Sequence, residues 1–162
     1  MIKNNKNNKK GFAILFAVTL SSILLSIALG VTNIALKELK FSTSAKATND
    51  AFFAADTGIE CALFNDKSPT TSFPQTGGSG IVNCLGATIP LNGSYPDWSF
   101  TLSEFGGTGR SCAKVTLSRS LDNSTNPPSI ATLIVSKGYN NGDSSCNSTN
   151  ADRIERELRV MY

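Results

Sequence analysis

The stretch KKGFAILFAVTLSSILLSIALGV, residues 9–31, decides how this chain folds. It joins the end of a basic leader to a segment without a charged residue, which extends from residue 11 to residue 36. A helix over that segment would be about 39 Å long at about 1.5 Å per residue, whereas the hydrocarbon core of a bilayer is about 30 Å thick. The segment is therefore predicted to cross a membrane as a single tilted helix.

The charge of the leader predicts the orientation of that helix. Four lysines precede the apolar segment, at positions 3, 6, 9 and 10, and positive charge favours the cytoplasmic side of a membrane. A secretory signal has an apolar region of about 7–15 residues and then a cleavage site between small residues. Here the apolar segment is longer, and the helical pattern continues through the one candidate site, at residues 26–30. A conventional signal peptide is therefore disfavoured.

The helical pattern continues beyond the apolar segment. Residues on one predicted helix face recur every three or four positions: Phe41, Ala45, Thr48, Phe52, Ala55, Ile59 and Leu63. No proline occurs among residues 1–67. One helix is therefore predicted over residues 12–64, with an apolar half at 12–36 and an amphipathic half at 37–64 that needs a surface to cover it.

Residues 65–162 are predicted to form a β-rich head outside the membrane. Residues 65–80, rich in Pro, Gly, Ser and Thr, predict a loop, and the short segments at 81–85 and 87–91 are at best edge strands. Apolar residues, alternating or continuous, predict four further strands at 98–103, 113–118, 130–139 and 153–162. The last segment also fits a helix, but a strand that pairs with 130–139 is favoured because the segment follows a turn rich in Gly and Asn.

The fold class that follows from these elements is α+β. Four strands are enough for a sheet, and the amphipathic half of the helix would cover one face of it. The predicted fold is a long N-terminal helix packed on a small antiparallel sheet.

The four cysteines predict two disulfides. No two of them are spaced as in a zinc-binding CxxC pair. An even number of cysteines in an exported chain indicates disulfides, for which three pairings are possible. The preferred pairing joins Cys61 to Cys84, which would pin the Gly-rich loop to the end of the helix. It also joins Cys112 to Cys146, which would tie the start of a strand to the loop before the last strand.

The composition argues against several classes of function. The net charge of +3 comes from the leader, because the eleven basic residues after Gly11 nearly balance twelve acidic ones. No basic face for nucleic acid is indicated. The chain has no histidine, so it lacks the commonest general base and the commonest neutral metal ligand. No catalytic residue, metal site or cofactor is predicted, and the chain is not expected to be an enzyme.

The polar loops offer weaker signals. Residues 140–152 carry acidic and amide oxygens suited to calcium but lack the ordered spacing of an EF-hand, so a solvated loop is the favoured interpretation. Asn92, Asn123 and Asn147 match the N-glycosylation sequon, and a chain rich in Ser, Thr and Asn produces such matches by chance.

Two stretches of the chain resemble type IV pilins. The basic leader that ends in Lys-Gly, followed by Phe and the apolar run quoted above, resembles the class III signal of these proteins. The continuation NDAFFAADTGIECAL, residues 49–63, is similar to the corresponding segment of PilX-like minor pilins. The residues that match the pattern closing the long helix are Ala51, Ala54, Ala55 and Asp56. The resemblance covers residues 9–64.

The resemblance implies how the chain is processed. It implies cleavage between Gly11 and Phe12 by a prepilin peptidase, removal of residues 1–11 as the leader, and N-methylation of Phe12. A glycine before the cleaved bond keeps the backbone accessible to a protease.

One position departs from the pilin pattern. Most pilins have a glutamate as the fifth residue after the cleavage site, where this chain has Phe16. In the family, that carboxylate is understood to meet the N-terminal amine of a neighbouring subunit inside the apolar bundle, where an unpaired amine is costly. A subunit without the carboxylate suits a position with no subunit ahead of it, although PilX-like sequences often have an apolar residue here.

The expected function is that of a structural and assembly subunit of a type IV pilus-like filament, as a minor or tip pilin. The expected partners are other pilin subunits through the N-terminal helix, the prepilin peptidase, the inner-membrane assembly machinery and the membrane before assembly. The chain is expected to be a single-pass membrane protein with a cytoplasmic N-terminus and an extracytoplasmic head, and later part of a cell-surface filament. The alternatives are a pseudopilin of a type II secretion system, a major pilin, and an uncleaved membrane-anchored binding domain.

Overall fold

The computed structural model describes residues 10–68, 72–75, 80–124 and 126–162. The chain divides into two units, with the boundary between Thr43 and Ser44. Helix α1, Lys10–Lys67, begins in the first unit and ends in the second. It is longer at both ends than the predicted helix over residues 12–64.

Two antiparallel sheets follow the helix in the second unit. The smaller sheet contains β1, Ile81–Cys84, and β2, Ala87–Pro90. The larger sheet contains five strands in chain order: β3 (Asn92–Ser94), β4 (Asp97–Phe105), β5 (Ser111–Asp122), β6 (Ser129–Tyr139) and β7 (Glu155–Met161). All its neighbouring strands are antiparallel, so this sheet is a meander. The predicted α+β fold, a long N-terminal helix packed on a small antiparallel sheet, is confirmed.

The pairing of β6 with β7 answers the question about the last segment of the chain. Residues 155–161 form a strand, in a register that sets Val160 opposite Ile134 and Leu158 opposite Ser136. The strand was favoured over a helix, and the structure agrees. By contrast, β3 was not predicted, because its three residues are all exposed and none is apolar, so the period-2 signal is absent.

The core of the second unit collects apolar side chains from the end of α1, from both sheets and from the connection after the helix. Its largest fully buried apolar side chains are those of Trp98, Phe73, Phe100, Leu102, Leu117, Ile134, Val82 and Val115. Along β4 and β5, buried residues alternate with exposed or half-buried ones. This is the pattern of an antiparallel sheet with one face covered.

The face of α1 that packs on the sheet differs from the predicted one. The prediction placed Phe52 on the buried face, but this side chain is 44% exposed, whereas small residues are buried. The buried small residues are Ala51, Ala54, Ala55, Gly58 and Ala62. The physical reason is close approach. A Cβ atom at Gly138 of β6 would overlap the backbone of Ala51 and Ala55, so only small residues allow the helix and the sheet to lie this near.

The helix also extends into the segment predicted as a loop. Asn65 is buried, and its side-chain amide donates to the carbonyl oxygens of Cys61 at 2.9 Å and Asn83 at 3.2 Å. Its Oδ1 atom accepts from the N–H of Asn83 at 3.1 Å. These bonds tie the last turn of α1 to β1, so the turn depends on tertiary contacts that a local reading of the sequence does not detect.

Candidate functional site

The predicted processing junction lies near the start of α1. Gly11 and Phe12 both belong to the helix, and the Phe12 side chain is 79% exposed. Leader residues 1–9 lie outside the described residues. Cleavage after Gly11 and methylation of Phe12 therefore stay predictions, now located on a helical segment that carries no acidic residue in its first turn.

The first half of α1 exposes apolar side chains on all sides. Every residue from 12 to 36 is exposed, and none of them is charged. A helix that is apolar all round is stable only where its surroundings are apolar, in lipid or against other helices.

The polar side chains of this segment are adapted to such surroundings. It contains five hydroxyl side chains, and each donates to a backbone carbonyl three or four residues earlier, at 2.8 to 2.9 Å; these are Thr19, Ser21, Ser22, Ser26 and Thr32. A hydroxyl without a partner would cost free energy in hydrocarbon. Because these five are satisfied within the helix, they do not oppose burial of the segment. The hydropathy of the segment alone does not predict these hydrogen bonds.

Length and composition make α1 compatible with a single membrane span. A signal sequence near the N-terminus and the buried core helix of a soluble protein meet the same criterion. Here none of the most apolar window is buried, which is unlike a soluble core helix.

Phe16, the position where pilins usually have glutamate, is 57% exposed on this apolar surface. The first acidic residue of the helix is Glu38. A chain that began at Phe12 would therefore offer no carboxylate within its apolar half to any neighbouring amine.

A second surface with exposed apolar side chains lies on α1 within the second unit, opposite the face that packs on the sheet. Phe52, Phe53 and Phe64 are 44%, 62% and 73% exposed. Asp56 and Glu60 lie exposed among them. We call these five residues the outer face of α1. Large exposed phenylalanines at helical spacing are typical of a helix that packs against a partner.

Two disulfides brace the second unit. Cys61 is joined to Cys84 with their Cα atoms 5.8 Å apart, and Cys112 to Cys146 with their Cα atoms 5.5 Å apart. This is the pairing preferred from the sequence. The first bridge ties α1 to the end of β1, and the second ties the start of β5 to the loop before β7.

A buried ion pair joins the end of α1 to β5. Asp66, near the end of α1, pairs with Arg119 of β5, and both side chains are at most 7% exposed. Arg119 also donates to the carbonyl oxygen of Phe73 at 3.3 Å. The hydroxyl of Tyr162 donates to the other Asp66 oxygen at 2.6 Å, and burial together with this bond raises the pKa of Tyr162. No local sequence pattern predicts this network, because its members are far apart in the chain.

The loop at residues 140–152 folds back on itself. One oxygen of Asp143 accepts from the N–H groups of Ser145 at 2.9 Å and Asn147 at 2.8 Å. These bonds, led by that from Asn147, lower the pKa of the Asp143 carboxyl. The described residues contain no group of three or more His, Cys, Asp or Glu that could hold a metal ion. The loop borders an open cavity of about 530 Å³.

The glycosylation matches lie on the surface of the second unit. Asn92 is in β3, Asn123 follows β5, and both are exposed. The Oδ1 atom of Asn147 accepts from Lys114 Nζ at 2.8 Å.

No protein-family model, curated protein or solved structure matches this chain. The function is therefore argued from the geometry and chemistry described above, together with the pilin-like pattern of the N-terminal residues.

Proposed function

We propose that this chain is a structural subunit of a type IV pilus-like filament. Residues 12–36 would hold it in the membrane before assembly and pack against the helices of other subunits afterwards. The observation that carries the proposal is the exposed, uncharged first half of α1, on a helix that continues without interruption into a disulfide-braced head. The leader that ends in Lys10 and Gly11 supplies the expected processing signal.

The outer face of α1 favours a filament over a simple anchor. A membrane span needs about 20 apolar residues, which residues 12–36 already provide. Phe52, Phe53 and Phe64 lie beyond that span and are not needed to cross a bilayer. Their exposure supports packing of the helix against further subunits outside the membrane.

Phe16 favours a minor or tip position within the filament. A subunit that added beneath another would face the terminal amine of the subunit ahead, and Phe16 cannot neutralise it. At a tip no subunit lies ahead, so the missing carboxylate costs nothing there.

The test of this function is the mass of the mature protein, made in a host with a prepilin peptidase. We expect loss of residues 1–11 and the gain of one methyl group on Phe12. Gly11→Trp should remain at full length in the membrane, because a bulky side chain obstructs the protease. Gly30→Ala is the matched control, since nothing lies within 4 Å of the added Cβ, and it should mature normally.

Two results would contradict the proposal. A wild-type protein that keeps its full mass would instead support an uncleaved membrane-anchored binding domain. A Gly11→Trp variant that still begins at Phe12 would show that the proposed junction is not what the protease reads. Whether the mature chain is found in surface filaments or only with secretion machinery separates a pilin from a pseudopilin.

A further inference from the structure

The cavity beside the loop at residues 140–152 has the features of a binding site. Its volume is about 530 Å³, within the usual range of small-molecule sites of about 300–1,000 Å³. The residues that line it include six with polar side chains that could contact a ligand: Arg110, Asn141, Asp143, Ser148, Thr149 and Arg153. The cavity is separate from α1 and has no part in the proposed filament contacts.

The walls of the cavity are held in place. The N–H of Gly142 donates to the carbonyl oxygen of Arg110 at 2.9 Å, and the N–H of Cys146 donates to that of Asp143 at 2.8 Å. A Cβ at Gly142 would overlap the disulfide sulfur of Cys112. The loop is thus packed directly on the second bridge. Because the loop is already ordered, ligand binding would lose little conformational entropy there.

Arg153 lines the cavity, and its guanidinium is held in place. Its guanidinium lies 3.8 Å from the centre of the Tyr139 ring and donates to the carbonyl oxygen of Cys146 at 2.7 Å. Its Nε atom is buried and has no hydrogen-bond partner among the described residues. Arg153 therefore contributes a fixed positive charge to this region.

Other polar groups at the cavity are also unused. Within the described part of the chain, the side chains of Arg110, Asn141 and Thr149 make no hydrogen bond or ion pair, and Asp143 uses only one of its two oxygens. Arg110 is exposed, and a free guanidinium binds a carboxylate through two parallel hydrogen bonds. The cavity thus presents an anion-binding group beside several donors and acceptors for hydroxyl groups.

We propose that this cavity binds an acidic sugar, a ligand with one carboxylate and several hydroxyl groups. Arg110 would hold the carboxylate, while Asn141, Thr149 and the free oxygen of Asp143 would bind the hydroxyls. The carboxylate of Asp143 favours a ligand with several hydroxyl groups, because an ionised carboxylate only accepts hydrogen bonds and a sugar supplies the donors. The proposal does not depend on filament assembly.

The test uses the full chain in detergent micelles and methyl glucuronide as the probe, with saturation-transfer NMR and calorimetry as the readouts. We expect saturable binding of weak affinity, with a Kd of about 1 mM. Methyl glucoside, which has the same ring without the carboxylate, should bind at least about tenfold more weakly, as the loss of a charge-assisted pair predicts. Acetate and inorganic phosphate should not compete at equal concentration.

The variants locate the binding. Arg110→Ala and Asp143→Asn should each weaken methyl glucuronide binding about tenfold or more. Arg156→Ala removes an exposed arginine on β7, outside the cavity. It should leave the affinity for methyl glucuronide unchanged. The proposal is wrong if the wild type shows no saturable binding, if phosphate binds as tightly as the sugar, or if Arg110→Ala binds like Arg156→Ala. Because these measurements do not require cleavage at Gly11, they stand or fall separately from the filament proposal.

Discussion

The contact between Gly138 and the helix shows how single small residues set the distance between α1 and the sheet. Ala51 and Ala55 on the helix meet a glycine on β6, and Gly58 on the helix meets Ser136 and Val115 on the sheet. In each contact, a Cβ atom on the glycine would overlap atoms of the opposing element. The helix therefore packs on the sheet through backbone approach rather than through large interlocking side chains.

We predict that Gly138→Ala destabilises the second unit. The added methyl group would overlap the helix backbone, which cannot move aside as a flexible side chain would. Overpacking of this kind costs about 1–3 kcal/mol, which thermal unfolding of the full chain in detergent would register as a lower midpoint. Gly107→Ala is the matched control, because nothing lies within 4 Å of its added Cβ. Equal stability of the two variants would mean that the close contact is not needed.

The wrong predictions for the packed face of α1 have one physical cause. The periodic pattern assumed that large apolar side chains face the core, so Phe41 and Phe52 were placed there. In the structure Phe41 is 77% exposed, and the alanines carry the packing. That assumption fails for a helix whose apolar surface exceeds what its own head can cover.

At the scale of elements, strands with one covered face were predictable and tertiary bonds were not. The strands β4, β5 and β6 contain the predicted segments 98–103, 113–118 and 130–139, and β7 lies within the predicted segment 153–162. The last turn of α1 and the short strand β3 escaped detection. Asn65 stabilises the last turn of α1 through hydrogen bonds to Asn83, 18 residues away in the chain. Pairing with β4 stabilises β3.

The ion pair between Asp66 and Arg119 joins the end of α1 to β5. We predict that Asp66→Ala alone lowers the free energy of unfolding by about 3–5 kcal/mol, because it leaves a buried guanidinium without its partner. The double variant Asp66→Ala with Arg119→Met should recover much of this loss, since no charge then remains buried. Urea unfolding of Asp66→Ala, Arg119→Met and the double variant measures the coupling free energy between the two side chains.

A surface ion pair serves as the control for that experiment. Lys137 contacts Glu155 and Glu157, but its side chain is 45% exposed. Lys137→Ala should therefore change stability far less than Asp66→Ala. If the single and double variants at Asp66 and Arg119 lose equal stability, the cost lies in lost packing and not in an unpaired charge.

For the whole molecule, the clearest prediction concerns its distribution in filaments. If Phe16 restricts this subunit to a tip, immunogold labelling of purified filaments should mark one end, and the chain should be a small fraction of the total subunit mass. Phe16→Glu introduces the carboxylate that most pilins have and should allow the subunit to enter along the shaft. Phe16→Gln should not, because glutamine is close to glutamate in size but carries no charge. Uniform labelling by the wild-type chain would exclude the tip position and favour a major pilin.

The apolar helix could be predicted from the sequence alone, because composition and length define it: the segment lacks charge and proline. The junction at Gly11 and Phe12 stays a prediction, which rests on the resemblance to pilins. The outer face of α1 and the cavity beside Arg110 needed the fold. Both are formed by residues whose exposure depends on what the sheet covers and on where the disulfides hold the loops.

The order of the two disulfides has a consequence for biogenesis. Each bridge joins cysteines that are consecutive in the chain, the first to the second over 23 residues and the third to the fourth over 34. If the head is exported across a membrane from its N-terminal end, an oxidase that links each new thiol to the last free one would produce the native pairing directly. No incorrect bridge would have to be broken, so maturation of this chain should need oxidising equivalents but no shuffling of disulfides.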